Sequence, residues 1–357
     1  MRIGSLCVSQ HRRGPMPALP TALSMRSESQ VSKQATLHDV ARAAGVSLIT
    51  ASRALGNPGL VSAKTIARVQ QAVQETGYIP NLLAGGLKSK RSRMVAGIVP
   101  ALAVSQFMPS VQALTETLAG QGYQLLLGQT GYDVAREALV LHTMISRQPD
   151  AIVFTGLVQD AAVRERLRRT GLPVVETWDM SDAPVDMLVG FSQDQVGRAV
   201  GAYFRAKGWR QVGIATAGDQ RALQRKAGFE AAFGRRVPTA VVPAPSSLER
   251  GRLALAELLA QESGLQAVAC SSDQLAQGVL VEAQARGLRV PQDLAVCGFG
   301  NADFAAHLVP ALSTVLIDAP AIGRLAAELV LARCRGETVA QPIVDVGFSI
   351  VERQSTA

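Results

Sequence analysis

Two short helical patterns meet at Gly45, and that junction limits the folds open to this chain more than any other feature. Leu37, Val40, Ala41 and Ala44 recur at i, i+3, i+4 and i+7, one face of a helix, with Thr36 placed to cap it. Gly45 breaks the run and permits the positive φ of a tight turn. Ser47 can then cap a second helix carrying Leu48 to Leu55. After the loop Asn57-Pro58-Gly59, Ser62 caps a third helix with the apolar face Ile66, Val69 and Val73, ending at Gly77. Three short helices with so brief a connection between the first two predict a helix-turn-helix domain.

Charge supports a polyanion partner for this segment. Residues 1–93 hold 13 Lys and Arg against three acids, Glu28, Asp39 and Glu75. The rest of the chain holds 23 bases and 25 acids, so the whole net charge of +8 originates in the first quarter. A basic, patterned module joined to a larger and nearly neutral body suggests nucleic-acid binding coupled to a second task. The second helix is the natural major-groove reader. Arg53 suits a phosphate or a bidentate guanine contact, Ser47, Thr50 and Ser52 suit phosphate oxygens, and Leu48 and Ile49 offer only apolar contact to base edges.

Beyond Arg93 the texture changes. Apolar runs such as Val95–Val99, Gln124–Leu127, Ala151–Phe154, Met187–Val189, Val212–Ala215 and Ala267–Ala269 alternate with helix candidates such as 110–120, 134–146 and 196–207. That alternation predicts βαβ units and parallel sheets covered on both faces. About nine strands are too many for one mononucleotide-binding half, so two doubly wound lobes are expected, with ligands in the cleft at the strand carboxyl ends. Residues 1–34 carry no sustained pattern and read as a disordered extension in which Met16 and Met25 are alternative starts; residues 78–92 read as a linker.

Other classes are excluded. The longest apolar stretch, Met94–Val104, has eleven residues and is too short to span a membrane. Four cysteines (Cys7, Cys270, Cys297, Cys334) form no CxxC spacing, which argues against a disulfide framework or zinc site and for a soluble, reduced, cytoplasmic protein. No Gly-x-Ser-x-Gly elbow, P-loop, HExxH or dinucleotide fingerprint occurs, so no enzyme, metal or cofactor is expected.

The segment Thr36–Leu87, with TLHDVARAAGVS, the TxSRxL pattern, VSAKT and GY-IPN, resembles the DNA-binding headpiece of the LacI family of bacterial repressors. The resemblance runs to about residue 352. It implies an all-α helix-turn-helix domain followed by an α/β periplasmic-binding-protein-like core of two doubly wound lobes. The expected layout is a helix-turn-helix domain at 35–80, a hinge at 81–92 and a core at 93–352. The first lobe would hold about 93–190 and 316–340, the second 191–315 and 341–352. The resemblance places Ser47, Leu48, Ile49, Thr50, Ser52 and Arg53 at double-stranded operator DNA, and Leu37, Ser62, Thr65, Tyr78 and Asn81 at its phosphates. It further implies that Asn81–Lys88, with Ala84 and Leu87 toward the DNA, folds into a hinge helix whose Leu87 wedges between base steps. Gly85 and Gly86 depart from that pattern at about 1 kcal/mol each in helix propensity, and a plain flexible linker is the alternative.

In the core, Arg225-Lys226-Ala227-Gly228-Phe229 resembles the family's effector-clamping segment, and a planar guanidinium suits a carboxylate or phosphate. Val296–Asn301 occupies the family's VxGxDD position with Gly300 in place of the first Asp, which points away from a neutral sugar. Gln106, Phe107, Phe191, Ser272, Asp273 and Asn301 fall at family ligand-lining positions. Gly131-Tyr132, Pro173–Asp179 (with Glu176, Trp178 and Asp179), Asp186–Phe191 and Val344–Phe348 look like the gluconate-operon repressor branch. The implied effector is gluconate, a ketogluconate or 6-phosphogluconate, and the implied assembly a homodimer, with a tetramer left open. An architectural DNA-binding protein without ligand response, or a regulator of a neutral-sugar pathway, remains the alternative.

Overall fold

The computed structural model describes residues 35–79, 91–102 and 105–357. They fall into two units, 35–79 and 91–357. The extension at 1–34 and most of the expected hinge, including Asn81, Ala84 and Leu87, lie outside the described residues.

The first unit is three helices, α1 (Leu37–Ala43), α2 (Leu48–Gly56) and α3 (Ala63–Thr76). Val40, Ala44, Ala54, Val69 and Ala72 form its core, with Ile66, Val73 and Tyr78 packed on the rim. Ser47 and Ser62 cap α2 and α3 by accepting the Thr50 and Thr65 amides, while at α1 the Asp39 carboxylate accepts from both the N–H and the hydroxyl of Thr36. Gly45 turns the chain at φ +59°, and Arg68 on α3 donates to the Ala44 and Gly45 carbonyls, tying that turn to the third helix.

The second unit contains two six-stranded sheets. The first is built from β1 (Met94–Val99), α4 (Met108–Ala119), β2 (Gln124–Gln129), α5 (Val134–Ser146), β3 (Ala151–Thr155), α6 (Ala161–Thr170), β4 (Val174–Thr177) and β5 (Met187–Gly190). The chain then crosses to α7 (Gln193–Ala206), β6 (Val212–Ala217), α8 (Gln220–Phe233), β7 (Thr239–Val242), α9 (Leu248–Gln261), β8 (Ala267–Cys270), α10 (Asp273–Ala285), β9 (Ala295–Phe299) and β10 (Ser313–Leu316). It returns through α11 (Ala319–Arg335) and β11 (Ile343–Asp345) and ends on β12 (Ser349–Val351). The orders are β11-β5-β4-β3-β1-β2 and β12-β10-β9-β8-β6-β7, parallel throughout except for β12 against β10. Near-continuous burial along β1, β3 to β6, β8 and β9 is what two covered faces require.

One expected boundary shifts. β11 pairs with β5, so the last crossing falls between Asp345 and Ser349, and only the end of the 341–352 segment belongs to the second lobe. Helices α7 and α8 touch backbone to backbone. A Cβ built on Gly197 would lie 1.9 Å from the Arg225 carbonyl oxygen, and one on Gly228 would lie 2.2 Å from that of Asp194. This contact fixes the height of Arg225 above the second sheet.

Candidate functional site

On α2, Ala51 and Ala54 turn inward, and the 3.6-residue period therefore turns Leu48, Ile49, Ser52 and Arg53 outward. Ile49 is 64% exposed and Leu48 37%, two apolar side chains held in the open by a helix whose other face is core. Ser47 Oγ accepts the Thr50 amide at 3.1 Å and lies 2.8 Å from Thr50 Oγ1, so the two hydroxyls are presented as a pair at the helix N-terminus. Ser62 and Thr65 repeat the arrangement at the start of α3. Leu37 and Tyr78 are half-buried, Tyr78 against the three-helix core.

The second candidate surface is the cleft between the two sheets of the core. At its inner end Gln106, Phe107, Tyr132, Trp178, Arg225 and Ser272, all expected from the sequence, line one small recess of about 20 Å³. An aromatic chain forms its floor. Phe107 and Trp178 stack edge to face at 4.9 Å, Trp178 meets Phe191 at 6.0 Å, and Phe191 meets Phe299 at 6.2 Å. Arg225 lies over the Phe299 ring, its guanidinium carbon 3.9 Å from the centroid. Its Nη1 donates to Gln193 Oε1 and its Nη2 to the Ser271 carbonyl at 3.0 Å. Gln193 in turn donates to the Trp178 carbonyl at 2.7 Å, and the Trp178 indole donates to Ser110 at 3.0 Å.

The arginines are incompletely satisfied. Arg225 Nε and Arg221 Nη1 are buried donors with no hydrogen-bond acceptor among the described residues. Burial is the main influence on Arg225 and pulls its pKa down to about 10, still charged at neutral pH. Burial likewise lifts the Tyr132 phenol to about 12, which leaves it a neutral hydroxyl. A buried cationic donor without an acceptor is costly unless an anion completes it.

Four expected ligand contacts have other occupations. Glu176 is 0% exposed and accepts from the Val158 amide at 2.8 Å, the Val185 amide at 2.7 Å and Arg164 at 3.3 Å, so it ties loops of the first lobe together. Phe191 is fully buried and supports the floor from beneath. Asp273 accepts from Thr314 Oγ1 and the Ala302 amide, both at 2.6 Å, securing the loop after β9. Asn301 Oδ1 accepts from Arg353 at 2.7 Å. Asp179 does not line the inner recess; it borders a larger adjoining cavity of about 530 Å³.

Sequence reasoning missed Gln193, Asp219, Arg221, Ser246, Ser271 and Phe299, which complete the inner lining. Arg221 was the most accessible of these. It stands four residues before Arg225, hence on the same face of α8, and its guanidinium lies 5.1 Å from the Phe107 ring centroid. Among the described residues no group of three or more His, Cys, Asp or Glu could hold a metal ion, and no helix is long and apolar enough to cross a membrane.

Comparison with known proteins agrees with this geometry. Residues 36–81 match the bacterial regulatory proteins, lacI family, and residues 202–356 match the periplasmic binding protein-like domain. The HTH-type transcriptional regulator GntR of Pseudomonas aeruginosa is 36% identical over 330 residues, covering 90% of this chain and 95% of that one. The GntR regulator of Escherichia coli is 32% identical over 322 residues, covering 89% and 97%. The crystal structure of a LacI-family transcriptional regulator from Silicibacter pomeroyi superposes with a TM-score of 0.85 at 32% identity, covering 90% of this chain and 99% of the other. A three-helix headpiece, a two-sheet core and relatives of this identity over nearly the full length lead to one conclusion: the chain belongs to the lacI family of bacterial regulatory proteins and is a DNA-binding transcriptional regulator.

Proposed function

We propose that this regulator acts as a homodimeric repressor whose operator affinity is set by a sugar acid held in the core cleft, with gluconate, a ketogluconate and 6-phosphogluconate as the candidate effectors. The observation that carries the reading is the pair of buried, acceptor-less guanidinium nitrogens, Arg225 Nε and Arg221 Nη1, beside a recess lined with Gln106, Tyr132 and Ser272. A carboxylate completes those donors, since it brings two charged acceptor oxygens, one for each arginine. The hydroxyl and amide groups then meet a hydroxylated chain, and Trp178 and Phe107 supply apolar walls.

In this reading Ser47, Thr50, Ser52 and Arg53 contact phosphates and base edges while Leu48 and Ile49 meet thymine methyls, with Leu37, Ser62, Thr65 and Tyr78 along the backbone. Two headpieces read the halves of a pseudo-palindrome. The effector acts through its different affinity for two lobe arrangements, and a coupling of about 1–3 kcal/mol changes operator affinity roughly 5- to 150-fold. A thermal-shift screen of gluconate, 2-ketogluconate, 5-ketogluconate and 6-phosphogluconate tests the ligand class, since native-state binding raises the midpoint. No shift with any of them would refute it.

A further inference from the structure

The cleft is not uniform. Its inner recess measures about 20 Å³, while the cavity beside it measures about 530 Å³. Arg221, Tyr132 and Asp219 border both, so the two chambers lie side by side. The outer chamber is made by the loops at the carboxyl ends of strands from both sheets, with Pro100, Thr130 and Thr155 from one and Gly218 and Pro243 from the other.

The charge reverses along this path. The inner recess holds the Arg225 and Arg221 guanidinium groups and one carboxylate, Asp219. The outer chamber is bordered by four carboxylates, Asp133, Glu137, Asp179 and Asp219, with Arg221 at its inner edge. Asp133 and Asp219 spend one oxygen each on the first-turn amides of α5 and α8. Asp179 is 4% exposed, yet the only hydrogen bond it accepts among the described residues comes from the Met180 amide at 2.9 Å. Glu137 Oε1 is buried with no hydrogen-bond donor among the described residues. Two poorly satisfied carboxylates beside one cavity favour ligand hydroxyls, each able to donate to them, and disfavour a second anion.

We infer that the outer chamber is a subsite for an uncharged, hydroxylated extension of the effector acid, such as a glycosyl unit carried by a hexonic acid, and that it rejects an effector bearing a second anionic group at its far end. The inference rests on the sugar-acid reading given above. The carboxylate faces the acceptor-less Arg225 Nε and Arg221 Nη1 at the inner recess, and the far end of the polyol body reaches into the outer chamber. A distal phosphate in the same pose falls among Asp133, Glu137 and Asp179. Burial raises the Glu137 and Asp179 pKa values, at Asp179 against a partial offset from the Arg221 and Arg225 charges.

Calorimetric titration of the full-length protein at pH 8 with gluconate, 6-phosphogluconate and lactobionate, a galactosylated gluconate, tests the assignment. Lactobionate is expected to bind about tenfold or more tightly than gluconate, and 6-phosphogluconate about tenfold or more weakly. In the Glu137→Gln/Asp179→Asn double variant the penalty on 6-phosphogluconate should shrink to less than about threefold. Gluconate binding accompanied by equal or tighter binding of 6-phosphogluconate, or by weaker binding of lactobionate, overturns the outer subsite and leaves the sugar-acid reading standing. Binding of none of the three removes both. The wild-type ranking decides the matter even if the double variant does not fold.

Discussion

Arg225 lies over Phe299, its guanidinium carbon 3.9 Å from the ring centroid, with Nη1 and Nη2 engaged by Gln193 and Ser271 while Nε has no acceptor among the described residues. The residue is thus held rigidly from one edge and from below, with one donor still to be satisfied. Replacing it by lysine keeps the charge but removes the planar fork and the stacking. Arg225→Lys should weaken gluconate binding by roughly ten- to 150-fold, the range for hydrogen bonds to charged groups of about 1.5–3 kcal/mol. Operator affinity without ligand should stay within about twofold, as measured by fluorescence anisotropy with labelled operator.

Arg53 faces away from the three-helix core, beside exposed Ile49 and Ser52. Arg53→Ala should therefore leave the melting temperature unchanged and cost about 1–3 kcal/mol of operator binding if it reads a guanine. Its loss should reduce discrimination between operator and random duplex; a uniform loss on both would assign it to phosphate instead.

Glu137 gives a pH signature. Burial, aided by the charge of Asp160 at the start of α6, pushes its carboxyl from 4.5 up to about 7. The native state therefore binds more protons than the unfolded chain between those values, and stability falls as pH rises from 4.5 to about 7. Glu137→Gln removes that loss. Its melting temperature should exceed the wild type's at pH 8 and match it near pH 4, read by thermal denaturation across the range.

Gly197 permits the backbone contact of α7 with α8. A methyl group there would sit 1.9 Å from the Arg225 carbonyl oxygen, which no side-chain rotation relieves. Gly197→Ala should destabilise the core by about 1–3 kcal/mol in urea denaturation, and because α8 must shift, it should weaken effector binding as well. A stable variant with unchanged effector affinity would show that the height of α8 does not govern the site.

Trp178 reports occupancy. Its ring is buried between Phe107 and Phe191, with its indole N–H on Ser110 and its carbonyl on Gln193. In a Trp209→Phe background its emission should change on effector addition with the same midpoint that calorimetry gives.

The headpiece was readable because caps, turn glycine and apolar spacing agree over a local stretch, and α5 runs over the expected 134–146. Helix α7 starts at Gln193, three residues before its first apolar residue, because Ser192 rather than hydrophobic periodicity sets its start. β10, β11 and β12 escaped notice. Ser313 and Thr314 are buried polar residues paid for by Ser355, Arg353 and Asp273, and the last two strands are only three residues each, held by pairing to distant segments. The site divided along the same line. Arg225 carried a local motif, but Glu176 and Asp273 differ from ligand-facing acids only in the amides that the tertiary fold brings to them.

The central claim is that a carboxylate ligand in the cleft governs whether the headpieces hold DNA. Operator affinity of the full-length protein, measured with and without saturating gluconate at fixed salt, tests it most directly. The account predicts a change of roughly 5- to 150-fold that vanishes in Arg225→Ala. Identical operator affinity in the two conditions, with calorimetry showing that gluconate is bound, would contradict it.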